Sequence, residues 1–256
     1  MLTDPKVSAC IVLYHAPDDV LDTVRCLMDS DMPVDLFVVD NFPQAPMAER
    51  IRWQCPGAKI RPQQSNLGFG RANNVVLPEL KSRYHLLVNP DVTFPPDLLT
   101  RMTDYMDAHP DIAILTPRVF NPDGTEQFLP KMQPTIKYLL GGRLEKLGGP
   151  FRKWRREFTL ADKNVATPID VGFATGCFLL IRTSVFRQLK GFDPRFFLYQ
   201  EDSDLGRRAM QVGRIVYHPE MCITHSWARE NTRTLKGNLR QIRSMIKYFM
   251  KWGWKW

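Results

Sequence analysis

Two short stretches carry the residues best suited to chemistry. The first is Leu87-Val88-Asn89-Pro90-Asp91, an apolar run ending in an amide, a proline and an acid; the second is Glu201-Asp202-Ser203-Asp204, three acids within four residues. An apolar run stopped by proline reads as a buried strand, because the residue before proline is pushed to extended geometry and the ring cannot continue a ladder. Asp91 then stands at a strand tip, facing the crevice where open α/β sheets bind ligands. A carboxylate there suits Mg²⁺ or Mn²⁺ bridging a diphosphate, and His225 could complete the shell if the ion is Mn²⁺. The same residues also suit a plain turn, with the acid capping a helix that begins near Pro96. Glu201 and Asp202 open a helix, where acids are favoured by the dipole, yet their crowding also suits a carboxylate that takes a proton from a hydroxyl.

Two further features lie in loops after expected strands, Asp40-Asn41 and Asn66-Leu67-Gly68-Phe69-Gly70. Glycines just before a helix let backbone N–H groups approach a phosphate. No Gly-Lys-Ser/Thr follows and the GxGxxG pattern is not met, so neither a P-loop nor a dinucleotide fingerprint is present. Loops at one edge of a parallel sheet converge, so all four features could line one crevice.

The elements that must position them alternate. Strands are expected at Val7 to Tyr14, Val34 to Val39, Ala58 to Arg61 and Tyr84 to Val88. Helices are expected at Asp18 to Met28, Gln44 to Gln54 and Phe69 to Leu80. Such alternation predicts βαβ units and a mainly parallel sheet flanked by helices. Periodicity fades from Pro117 to Pro168, which reads as an irregular surface excursion. Order returns at Val171 to Arg182, a helix is expected at Asp204 to Val212, and a strand at Arg214 to His218.

The 256 residues, 44% hydrophobic, suffice for a sizeable core. Five scattered cysteines without a CxxC pair argue against a disulfide framework and fit a reducing, cytoplasmic setting. The N-terminus lacks the charged leader of a signal peptide, and no run approaches the roughly 20 apolar residues of a membrane helix. The net charge of +8 is uneven, with seven Lys or Arg and no acid after Glu230. From Leu235 onward Leu239, Ile242, Ile246 and Phe249 share one helical face and Lys236, Arg240, Arg243, Lys247 and Lys251 the opposite one, and the chain ends in Trp252, Trp254 and Trp256. A basic amphipathic helix with terminal Trp suits the inner face of an anionic membrane, although its apolar face could equally dock on the protein's own core. Basicity confined to that helix argues against a nucleic-acid partner.

In their order, these motifs resemble family 2 glycosyltransferases of the GT-A fold, and more narrowly the bacterial rhamnosyltransferase-like branch. The resemblance spans Val7 to His225 and includes Val38-Val39-Asp40-Asn41, Asn73-Asn74, Gly176-Cys177-Phe178, Gly191-Phe192-Asp193 and Phe197-Leu198-Tyr199-Gln200-Glu201-Asp202. It implies a glycosyltransferase domain over 1–230, with a nucleotide-binding half to 115 and an acceptor half after it; the membrane-association helix over 231–256 follows from its own amphipathic pattern. It implies that Tyr14 and Asp40 hold the base, that Asn66, Gly68, Gly70 and Asn74 belong to the next nucleotide-binding segment, and that Asn89 and Asp91 stand where a DxD metal motif stands. Asp202 then matches the base, Glu201 a supporting acid and His225 a metal or diphosphate ligand. The first DxD acid is Asn89 here, a departure from the family pattern. The implied reaction is inverting, single-sugar transfer. The expected donor is dTDP-β-L-rhamnose, with UDP-galactose, UDP-N-acetylhexosamine or GDP-mannose as alternatives. The expected acceptor is a lipid-linked glycan or lipopolysaccharide in surface-polysaccharide (O-antigen) assembly.

Overall fold

The computed structural model describes residues 5–42, 46–226 and 235–256. In chain order the strands and helices are β1 (Val7–Leu13), α1 (Val20–Met28), β2 (Val34–Asp40), α2 (Met47–Gln54), β3 (Lys59–Pro62), α3 (Phe69–Asn74), β4 (Tyr84–Val88), β5 (Val92–Thr93) and α4 (Leu98–Ala108). The second half comprises β6 (Ile112–Phe120), α5 (Ile136–Leu144), α6 (Gly149–Thr159), β7 (Ile169–Asp170), β8 (Phe178–Arg182), α7 (Thr183–Gln188), α8 (Glu201–Ala209), β9 (Arg214–His225) and α9 (Leu235–Trp252).

These strands form a single sheet in the order β3-β2-β1-β4-β8-β6-β9-β5, with β7 beside β9. β3, β2, β1 and β4 run parallel, as do β6 and β9; β8 is inserted antiparallel between β4 and β6. The expected mainly parallel sheet is therefore present. Because β1 and β4 are buried on both faces, with only Val12 half-exposed, they read as near-continuous apolar runs, interrupted only by Ser8 and His85, which hydrogen-bond each other at 2.8 Å. Two buried clusters cover the two faces, one built on Val20, Val24, Leu98 and Met102 of α1 and α4, the other on Phe186, Phe192 and Leu205.

Several expected boundaries move. The stretch from Pro117 to Pro168 is more regular than its periodicity suggests: it completes β6 and folds into the α5–α6 hairpin. The helix expected at Asp204 begins at Glu201, and the strand expected to stop at His218 continues to His225. It crosses Pro219 through an irregularity in register between Pro117 and Arg118 of β6. The Phe69 helix stops at Asn74, followed by a single 3₁₀ turn at Leu77–Glu79.

The last helix has two apolar faces. Tyr248 and Phe249 are buried against Phe196, with Ile136, Leu139 and Trp252 packed around them. Ser244 on the same side donates to the Leu198 carbonyl at 2.7 Å. Leu239, Ile242, Ile246 and Met250, spaced three and four residues apart, are exposed on the opposite side. The sequence pattern put Phe249 with Ile242 and Ile246, whereas folding separates them: the docked side is set by what Phe196 and α5 offer. No helix among the described residues is long and apolar enough to cross a membrane.

Candidate active site

The acidic tip of β4 is built by strand pairing. Asn89 N–H donates to the Cys177 carbonyl at 2.8 Å, and Val92 of β5 pairs with His225 of β9. Asp91 thus lies between two strands and caps no helix; α4 begins after Asp97. This pairing brings His225 Nε2 within 3.3 Å of Asp91 Oδ1 and of Asn89 Nδ2. The other ring nitrogen meets Gln127 Oε1 at 3.1 Å, while Gln127 Nε2 donates to the His225 carbonyl at 2.6 Å. Gln127 therefore fixes the imidazole plane, the kind of outer support that ligating histidines use.

A carboxylate oxygen, an imidazole nitrogen and an amide form a mixed N/O set compatible with Mn²⁺ or Mg²⁺. Adjacent ligands of an octahedral ion with bonds of about 2.1 Å stand about 3 Å apart, so the Asp91–His225 separation fits a shared ion. Among the described residues no group of three or more His, Cys, Asp and Glu gathers, so the protein's own share of the shell is small. Diphosphate oxygens and water would have to complete it.

The second acidic stretch joins this tip through the turn before β8. Gly176 N–H faces Asp202 Oδ2 at 3.4 Å, and the neighbouring Cys177 carries the carbonyl that holds Asn89. Burial pushes the Cys177 thiol up to about 12, with Lys131 opposing and the charges of Asp91 and Asp202 adding to the rise. Asp202 also accepts from Ser203 N–H at 2.7 Å. Glu201 is buried, and its Oε2 has no protein partner. Burial, reinforced by the charge of Asp202, raises the Glu201 carboxyl to about 8. Two adjacent acids thus have opposite surroundings: Glu201 is held in its neutral form at pH 7, while Asp202 remains half-exposed beside the turn.

Helix α8 begins from a strained turn. Tyr199 and Gln200 have φ of 68° and 67°, two consecutive non-glycine residues in the left-handed region. Each costs about 1–3 kcal/mol and persists only where the surroundings enforce it, a pattern concentrated at functional sites.

The residues expected to bind the nucleotide fall into two groups. Tyr14 is exposed at the tip of β1 and makes edge contacts with His15 and Phe42, at ring distances of 4.5 and 5.8 Å. Asp40 ends β2 beneath them, accepts from Phe42 N–H at 3.2 Å, and has its carboxyl raised by burial. An aromatic edge beside a carboxylate can stack a base and accept its N–H. Asn66, Gly68, Gly70 and Asn74 serve the scaffold. Asn66 accepts from Asn41 and from Gly68 N–H, and Leu67 N–H donates to Asn41. Asn74 donates to the Phe192 carbonyl and accepts from Phe192 N–H. A Cβ on Gly68, at φ 78°, would lie 2.0 Å from the Phe197 carbonyl oxygen, and one on Gly70 would lie 2.9 Å from Phe192. These glycines let the aromatic segment before α8 approach α3.

Sequence reasoning missed His15, Phe42, Gln127 and Lys131. Lys131 is bridged to Phe173 and reaches Thr175 Oγ1 at 3.5 Å; burial lowers its ammonium pKa, with Asp202 pulling the other way. It lies in a stretch with no periodic signal, so only the bridge to Phe173 reveals where it points. The five cysteines are all free.

A mainly parallel sheet flanked by helices, with acids at the tips of its strands, defines a GT-A glycosyltransferase architecture. The profile of "Glycosyl transferase family 2" matches residues 8–190, and the chain belongs to that family of glycosyltransferases. It is similar to an N-acetylglucosaminyl-diphospho-decaprenol L-rhamnosyltransferase of Mycobacterium tuberculosis, 29% identical over 220 residues, covering 80% of this chain and 70% of the relative. It is also similar to rhamnosyltransferase WbbL of Escherichia coli, 24% identical over 200 residues, 72% of this chain and 70% of the relative. In fold it is similar to a mannosyltransferase of Pyrobaculum calidifontis solved with GDP-Man and Mn²⁺, with a TM-score of 0.64 and 16% identity. That match covers 98% of this chain, which spans 64% of the mannosyltransferase chain.

Proposed function

We propose that the protein is an inverting, non-processive rhamnosyltransferase. It moves L-rhamnose from dTDP-β-L-rhamnose to a lipid-linked or lipopolysaccharide acceptor in bacterial surface-polysaccharide assembly, working at the inner face of the membrane. The observation that carries the reading is the junction at Gly176-Cys177, which ties Asp202 on one side to Asn89 and the Asp91–His225 pair on the other. An inverting displacement needs such a pairing of a base with a site for the departing diphosphate.

In this reading Tyr14 and Asp40 receive the base of the donor. Asp91 and His225, with Asn89, hold a divalent ion, which when bound neutralises charge on the leaving diphosphate. Asp202 takes the proton of the acceptor hydroxyl. Glu201, kept neutral by burial, can donate its O–H to donor or acceptor oxygens and adds no second negative charge. Lys131 supplies a cation near Asp202 and the diphosphate side. The rhamnose specificity draws its support from the two rhamnosyltransferase relatives.

The exposed face of α9 supports membrane association. Leu239, Ile242, Ile246 and Met250 are exposed along it, Trp254 and Trp256 are exposed beyond the helix end, and Arg243 and Lys247 lie beside the stripe. An apolar stripe bordered by cations suits anionic headgroups.

The test is a donor screen read by nucleoside diphosphate release, with a polyprenyl-diphosphate-linked sugar as acceptor. Turnover of dTDP-rhamnose well above UDP-galactose, UDP-N-acetylhexosamines and GDP-mannose is expected. Faster turnover of any of those three would overturn the donor assignment and leave the transferase reading intact.

A further inference from the structure

The helix that carries the membrane-facing stripe is wired by its other side to the helix that carries Asp202. Asp204, one residue beyond Ser203 and fully buried, accepts from three donors: Arg208 Nε at 2.8 Å, Lys251 Nζ at 2.5 Å and Trp252 Nε1 at 2.8 Å. Two of these come from α9. Lys251 also reaches Asp193 at 2.7 Å, in the turn that Asn74 clamps from α3. Farther along, Ser244 holds the Leu198 carbonyl immediately before the left-handed pair Tyr199–Gln200. Asp204 N–H closes the first turn of α8 onto the Gln200 carbonyl at 2.9 Å. Each end of the strained segment is therefore held by α9.

We infer that Lys251 and Trp252 are positioning residues for Asp202, so that α9 completes the active site as well as offering a surface to the membrane. A buried carboxylate needs its full complement of donors, and removing one leaves the helix start free to relax the unfavourable backbone of Tyr199 and Gln200. Relaxation there would turn Asp202 away from Gly176. The inference rests on Asp202 being the base, which Asp202→Asn tests separately.

The experiment uses the full chain in detergent, so that membrane affinity does not enter. Trp252→Phe removes the indole donor while keeping an aromatic ring, Lys251→Met removes the ammonium while keeping the stem, and Lys251→Arg is the conservative rescue. Two readouts are taken: steady-state transfer from dTDP-rhamnose, and amide hydrogen exchange of residues 198–206. For Trp252→Phe and Lys251→Met we expect exchange in that segment at least tenfold faster, kcat lowered about tenfold and donor KM within about twofold. Lys251→Arg should recover most of both. Wild-type exchange and kcat in both variants would overturn the inference, as would a loss that appears only in KM. An unchanged rate in Asp202→Asn would instead remove the base assignment, while the exchange result still reports whether α9 braces the turn.

Discussion

His225 Nε2 stands 3.3 Å from Asp91 Oδ1, held there by the antiparallel pairing of Val92 with His225. The two residues are far apart in the chain and meet because β5 pairs with β9. Their relation makes a direct prediction about metal. Affinity for dTDP, measured by calorimetry, should rise at least tenfold with Mn²⁺ in the wild type and lose that dependence in Asp91→Asn. Equal metal dependence in the variant would remove Asp91 from the ion's shell.

Asp202→Asn should lower transfer by about 10²–10⁴-fold, the range expected for loss of a general base. Binding of dTDP, titrated in the same buffer, should stay within about twofold, since the proposed role of Asp202 is toward the acceptor hydroxyl and not the nucleotide. Unchanged transfer would assign the proton to another group.

Glu201 ties stability to pH. Its folded pKa, about 8, is raised above the ordinary carboxylate value by burial and then by Asp202. Between about pH 4.5 and 8 the folded state therefore keeps a proton that the unfolded chain has released. Its contribution is complete below that window and is lost as pH rises through it, at a slope approaching about 1.4 kcal/mol per unit. Glu201→Gln should flatten this decline. Urea melts at pH 5 and pH 8 read the difference, and parallel losses in both proteins would refute the neutral, buried carboxyl.

The two faces of α9 should separate experimentally. Replacing exposed Ile242, Ile246 and Met250 together by Ser should abolish flotation with phosphatidylglycerol vesicles and change the melting temperature by no more than a degree or two. Tyr248→Ala on the docked side should cost about 3–5 kcal/mol, as large-to-small changes of buried aromatics do, read by denaturant unfolding. Vesicle binding that survives the first change would move the membrane contact elsewhere.

Gly68→Ala places a Cβ where the Phe197 carbonyl already lies and demands a left-handed backbone from alanine. A loss of at least about 2 kcal/mol is expected, because backbone rather than a flexible side chain must give way. A stability change within 0.5 kcal/mol, on the scale of ordinary surface substitutions, would mean that the aromatic segment before α8 moves freely away from α3.

The sequence by itself determined the parallel half of the sheet, since strands buried on both faces are predominantly apolar and β1, β2 and β4 announce themselves by such runs, with only Ser8, Asp35, Asp40 and His85 breaking them. It also located the acids worth testing, because strand tips and helix starts are legible from proline, glycine and charge. It could not say which partner each polar side chain would take. Asn66 and Asn74 belong by sequence to a nucleotide segment, yet their amides are spent on Asn41 and Phe192, contacts made across distant loops. Lys131 and Gln127 sit in a stretch without periodicity, and only pairing with Phe173 and His225 gives them direction. The same holds for α9. Its amphipathic pattern was plain, but a helix with apolar residues around more than one side can dock by either. Tertiary packing decided, by burying Tyr248 against Phe196 and giving Lys251 and Trp252 a buried carboxylate that no local spacing could reveal.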